Sequence, residues 1–211
     1  MRVLKVSLSA PSDPYTDRGC FDDGWSAKPS PAATAAQRRD DYVCQFCGFQ
    51  SVKYQVCFGP EGGGADALAT ACIFCEQVMN VDRIPTMKSG LLIWLPEFGQ
   101  AALNRAMPEV YVNRIHQNQE INARARSIIE RIISRRETAK AKFGSDEPVE
   151  LVRRLRKAGE DRREIDEIFE QGLRIMPLDR RIISLGQLEF NQFPQIMAFW
   201  RSSRGPFALG R

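Results

Sequence analysis

The chain has 211 residues, of which 43% are hydrophobic and 27% charged, with a formal net charge of +4. That balance excludes a disordered chain, and the length suits one domain or two small ones whose core needs no covalent staples. No apolar run is long enough to span a bilayer; the most apolar stretch, Leu91-Leu-Ile-Trp-Leu95, is only of strand length.

Met1 to Ala10 carries Leu4, Val6 and Leu8 at alternate positions and reads as a first strand. Lys5 and the serines deny it the apolar core of a signal peptide, so the expected location is the cytoplasm. Residues 10–36 are punctuated by Pro11, Pro14, Gly19, Gly24, Pro29 and Pro31 and read as loop. At their end Ser30-Pro31 has the form of an N-cap with proline at the first helical position, which predicts a short Ala-rich helix to about Arg39. A cysteine knuckle follows over Asp41 to Phe49. In Ser51 to Phe58, Val52, Tyr54, Val56 and Phe58 alternate with Ser51, Lys53, Gln55 and Cys57, the pattern of a strand. Gly59-Pro-Glu-Gly-Gly-Gly64 reads as a turn or loop. The second cysteine pair opens a helix over Ile73 to Val81, and Leu91 to Leu95 is a further strand.

From there the sequence predicts helices. Pro96-Glu97 opens one, with an acid in its first turn where the helix dipole favours it, and Pro108 should break or kink it. Ile121 to Lys142 reads as one long amphipathic helix with Ile121, Ala125, Ile128, Ile129, Ile132 and Ile133 as its apolar stripe and Gly144 as its end. Glu147-Pro148 starts another, ending at Gly159. Asp161 to Leu173 is a third, stopped by Pro177, and Leu178 to Phe190 reads as a fourth. Phe193, Phe199, Trp200 and Phe207 show little pattern. Two readings of them stand side by side: a docking segment, or aromatics that pack back on the body. The expected fold class is α+β: a small zinc-knuckle module with its N-terminal strand over residues 1–95, and a helical region over 96–211 packed on it.

The chain has six cysteines, Cys20, Cys44, Cys47, Cys57, Cys72 and Cys75. In a reducing compartment paired CxxC motifs bind metal more often than they form disulfides. Cys44-Gln-Phe-Cys47 is followed, after 24 residues, by Cys72-Ile-Phe-Cys75. Zinc takes four tetrahedral ligands, and a site made of four cysteines is closed and structural. The interval exceeds the usual spacing of about 15–20 residues, which suits a knuckle–hairpin–knuckle arrangement. Cys44, Cys47, Cys72 and Cys75 are therefore the expected ligands of one structural zinc ion. His116, the single histidine, reads as a surface or packing residue, and Cys57 as a small buried hydrophobe. Cys44→Ser or Cys75→Ser is expected to unfold the N-terminal half. Glu76, with no ligand role, is expected to tolerate alanine far better.

Arg39-Asp-Asp-Tyr-Val-Cys-Gln-Phe-Cys-Gly48 resembles the approach to an HNH-type zinc module, in which a helix, a CxxC knuckle, a ββα hairpin and a second CxxC follow in order. In active HNH nucleases histidines on the first hairpin strand, an Asn about five residues before the second CxxC and a following His activate water and hold a catalytic metal. Here the strand reads Tyr54-Gln-Val-Cys-Phe58, Ala67 stands five residues before Cys72, and Glu76 follows Cys75. The resemblance thus implies a degenerate HNH-like fold with the structural zinc and without catalytic residues, not an enzyme.

Asp41-Tyr-Val-Cys-Gln-Phe-Cys-Gly-Phe-Gln50 and Leu91-Leu-Ile-Trp-Leu-Pro-Glu-Phe-Gly-Gln-Ala-Ala-Leu-Asn104 resemble the IcmJ/DotN family of Dot/Icm (type IVB) secretion systems. Leu173-Arg-Ile-Met-Pro177 resembles the end of a family helix more weakly, and the likeness spans about residues 37 to 180. It implies an accessory subunit of the coupling complex. Such a subunit attaches to the C-terminal extension of the coupling ATPase (DotL-like), sits peripherally at the cytoplasmic face of the inner membrane and supports effector recruitment. Two alternatives stand beside it. A zinc-dependent nucleic-acid-binding module would use Tyr42, Phe46 and Phe49 with the basic stretch from Gln119 to Arg163, which holds 13 Lys+Arg against 8 Asp+Glu. Solvated helix faces and aromatics packing the knuckle account for the same residues. An active HNH endonuclease needs histidines the hairpin lacks.

Overall fold

The computed structural model describes residues 29–59, 64–159, 161–185 and 187–208, together with Leu4 and Leu8. The expected first strand, the loop before Pro29 and Cys20 lie outside the described residues. Leu8 is buried and the Leu4 amide donates to the Gln45 carbonyl (2.8 Å).

Helix α1 (Pro31–Arg39) forms where expected: the Ser30 side chain accepts from the Ala33 amide, and Arg38 and Arg39 occupy the last turn, where the dipole favours cations. Its small face, Ala33 and Ala36, packs with Cys57 and Leu68. The hairpin between the cysteine pairs is present, shorter than predicted: β1 (Gln55–Phe58) pairs antiparallel with β2 (Ala69–Cys72). The strand does not extend back to Ser51, because Tyr54 adopts φ 58° in the left-handed region and turns the chain. β2 runs directly into α2 (Ile73–Met79), and α3 (Arg83–Met87) leads to β3 (Gly90–Trp94).

Several expectations for the second half are overturned. The helix expected from Pro96-Glu97 starts later, as α4 (Gln100–Asn113), and it runs through Pro108. Proline removes one backbone bond there, but Leu103, Met107 and Tyr111 are all buried along that face and hold the turn. The predicted long helix is two, α5 (Gln119–Ser134) and α6 (Arg136–Phe143). At the break the Arg135 carbonyl accepts from the Trp94 amide of β3 as well as from the Ala139 amide, each at 3.2 Å. Gly144 closes α6 with φ +85°, as its position suggested. Helix α7 (Pro148–Ala158) also matches. Helix α8 (Arg163–Gln171) stops at Gly172, and Leu173–Pro177, expected as a helix end, is strand β4. It pairs antiparallel with β3, Leu92 opposite Ile175. Leu178 to Phe190 is not a helix either: β5 (Ile182–Leu185) and β6 (Leu188–Asn191) pair antiparallel, Leu185 opposite Leu188. Helix α9 (Phe193–Arg201) follows.

These pieces meet in one buried cluster that holds the four paired cysteines, Phe49 and Phe74 beside Leu92, Met107, Leu151, Leu173, Ile175 and Trp200. Residues on both sides of the 95/96 join therefore share a core. Of the two readings of the late aromatics, packing is the one observed. Trp200 lies edge-on to Phe49 (5.5 Å), Phe74 (6.0 Å) and Phe193 (5.9 Å), and Phe207 stacks on Phe49 (6.0 Å). Among the described residues no helix is long and apolar enough to cross a membrane.

Candidate metal centre

The first cysteine pair sits on a tight knuckle. Val43 and Gln50 form an antiparallel bridge, the Cys44 amide donates to the Phe49 carbonyl (2.9 Å) and the Gly48 amide donates to the Cys44 carbonyl (2.8 Å). Gly48 closes the loop at φ +78°, a conformation glycine adopts without steric cost. The Gln45 amide donates to the Thr70 carbonyl of β2 (2.8 Å), which brings the knuckle against the second pair. There Cys72 ends β2 and caps α2, its sulfur accepting from the Cys75 amide at 3.5 Å. Strand-to-helix continuity thus aims Cys72 and Cys75 the same way, at a helix N-terminus where the dipole favours thiolate.

The sulfurs of Cys44, Cys47, Cys72 and Cys75 all lie within 4.8 Å of one another, and all four residues are buried. Cys47 and Cys72 approach to 3.6 Å. The sulfurs strongly influence one another's protons. Hydrogen bonds from Cys47, Cys72 and Cys75 hold the Cys44 thiol far below its usual range. Burial pushes the Cys72 thiol well up, and Cys75 is raised chiefly by its hydrogen bond with Cys44. Uncompensated, this space supports little negative charge; a cation among the sulfurs lets all four act as thiolates. The four residues that the CxxC spacing selected are brought together, and they could hold one metal ion.

A second layer of contacts escaped the sequence reading. The Asn104 side-chain amide, buried in α4, donates to the Cys75 sulfur at 3.3 Å. Gln100, one turn earlier, donates to the Asn104 side-chain oxygen (2.9 Å) and to the Ile175 carbonyl (2.7 Å), and accepts from the Ile175 amide (2.8 Å). Both residues stand in the Leu91–Asn104 segment that carried the family resemblance. Their spacing of one helical turn, with polar side chains on the face shared by Leu103 and Met107, was the signal available.

Glu76 is also more than a bystander. It is 1% exposed, its Oε2 lies 3.2 Å from Arg181 Nη1, itself 0% exposed, and its Oε1 lies 2.9 Å from Arg83. This buried ion pair gives Glu76 a structural role that the sequence does not reveal. Burial lowers the Arg181 guanidinium from its ordinary value, and Glu76 acts against that. Cys57 is buried, as expected of a small hydrophobe. His116 sits in the loop after α4 and accepts from the Asn118 amide through Nδ1 (3.0 Å). Phe46 and Phe49 point inward, Phe46 against Phe58 and Phe49 against Trp200 and Phe207.

No family model matches the chain. The type 4 apparatus protein DotN of Legionella pneumophila is 31% identical over 148 residues, an alignment covering 66% of this chain and 69% of that protein.

Proposed function

The chain belongs to the IcmJ/DotN family of Dot/Icm type IV secretion components, and from that premise we propose that it is a non-enzymatic accessory subunit of a type IVB coupling complex, built around one structural zinc ion on Cys44, Cys47, Cys72 and Cys75. In this reading the subunit binds the C-terminal extension of the coupling ATPase, supports effector recruitment, and is peripheral at the cytoplasmic face of the inner membrane through its partners. The module over residues 1–95 supplies the zinc site, and the region over 96–211 packs on it.

The observation that carries the proposal is the similarity to DotN across two thirds of both chains. The donor set supports the zinc part. Zinc–sulfur bonds of about 2.3 Å in a tetrahedron put sulfurs about 3.8 Å apart, close to the 3.6 Å between Cys47 and Cys72. Four sulfurs leave no coordination position for water, so the ion would act on folding and not on a substrate. At the positions where an HNH nuclease needs its base and metal ligands stand Ala67, a hairpin strand without histidine, and a Glu76 committed to Arg83 and Arg181.

The test is to purify the tagged chain from its own cells, measure bound metal and identify partners by mass spectrometry. One zinc per chain with the coupling ATPase in the washed fraction is expected. Recovery without an ATPase that the lysate demonstrably contains overturns the accessory-subunit reading, and a chain free of zinc overturns the metal assignment.

A further inference from the structure

Backbone groups fix the wiring behind Cys75. The Ile175 N–H can only donate and its C=O can only accept, and Gln100 pairs with both. Gln100 must therefore present its oxygen to the N–H, and its amide nitrogen to the carbonyl and to the Asn104 oxygen. The Asn104 oxygen being taken, only its N–H group is left to face the Cys75 sulfur. The side-chain amide orientation, ordinarily a matter of inference, is here dictated by strand β4. A sulfur faced by a fixed donor is called on to accept, which is what a metal-bound thiolate does. A dication on four thiolates also leaves a net double negative charge in a buried site, and neutral donors are what offsets it without adding a counter-charge.

We propose that Asn104, locked by Gln100 against β4, is a positioning residue for the metal centre, and that its bond to the Cys75 sulfur slows loss of the ion. The inference rests on the zinc reading above and adds to it that the centre is anchored from the second half of the chain. Outer contacts to metal ligands are worth about 10–100-fold in affinity where they have been removed.

The experiment compares wild-type chain with Asn104→Leu, which keeps roughly the same bulk and removes the donor. Both are loaded with zinc, and release to a chromogenic chelator is followed well below the melting transition. Release from Asn104→Leu about 10–100 times faster, with an unchanged far-UV spectrum, is expected. Equal release rates overturn the proposal even if the melting temperature falls, since a purely structural asparagine would do only that. Should the variant fail to fold, the wild-type chain loaded with NMR-active cadmium decides. A through-bond coupling from the Asn104 side-chain amide to the metal upholds the proposal, and its absence overturns it. A wild-type chain that takes up no metal overturns the zinc reading itself, an outcome visible before any variant is compared.

Discussion

At the scale of single residues, the cysteines and Glu76 make opposite demands on their surroundings. Cys44, Cys47, Cys72 and Cys75 are crowded sulfurs that could hold a cation. Zinc binding by such sites is worth on the order of 10 kcal/mol of folding free energy. Cys44→Ser or Cys75→Ser should abolish stoichiometric zinc and the cooperative melt together, as read by elemental analysis and circular dichroism. Glu76 and Arg181 carry their compensation already, as a carboxylate–guanidinium pair at 3.2 Å with neither side chain more than 1% exposed. Removing one member of a buried pair costs about 3–5 kcal/mol because the other's buried charge loses that compensation. Glu76→Ala should lose about that much in urea unfolding while keeping its zinc. An apolar replacement of both residues should recover much of the loss.

At the scale of elements, the pair β3–β4 shows what a sequence can and cannot reveal. The knuckles, the hairpin between them, α1 and α7 were legible because their signals are local: CxxC spacing, Ser-Pro and Glu-Pro starts, a terminal glycine. β4 was not. Leu173, Ile175 and Met176 fit a buried helix and a buried strand equally, and periodicity cannot choose between them over so short a run. What decides is a partner far back in the chain, Leu91 to Trp94. The hairpin β5–β6 was missed for a similar reason. Of the candidate site, the grouping of the four cysteines was legible and the Gln100–Asn104 contacts were not, since their meaning depends on where β4 lies. Gly172 marks the junction between α8 and β4. It sits at φ +137°, its carbonyl accepts from the Leu95 amide (2.7 Å), and a Cβ there would lie 2.9 Å from Pro96. Gly172→Ala should therefore cost about 1–3 kcal/mol, measured as a drop in melting temperature. It should also weaken hydrogen-exchange protection of the β3 and β4 amides.

At the scale of the whole molecule, the knuckle and the late helix α9 belong to one core. Trp200 touches Phe49 beside the first cysteine pair and Phe74 within the second, so its loss should loosen the packing around the four cysteines. Trp200→Ala should destabilise by about 3–5 kcal/mol, read as a lower urea midpoint. With a shared core, unfolding should be a single event: tryptophan fluorescence and far-UV circular dichroism should give coincident urea transitions. Two separated transitions would show that the halves melt independently. The contact between Phe49 and Trp200 also sets a timetable. A ribosome releases the cysteines first and the closing tryptophan last, with an interval on the order of ten seconds at ordinary translation rates. Throughout that interval the knuckle waits with one wall of its core unbuilt, so the nascent chain must be shielded there until α9 arrives to seal it.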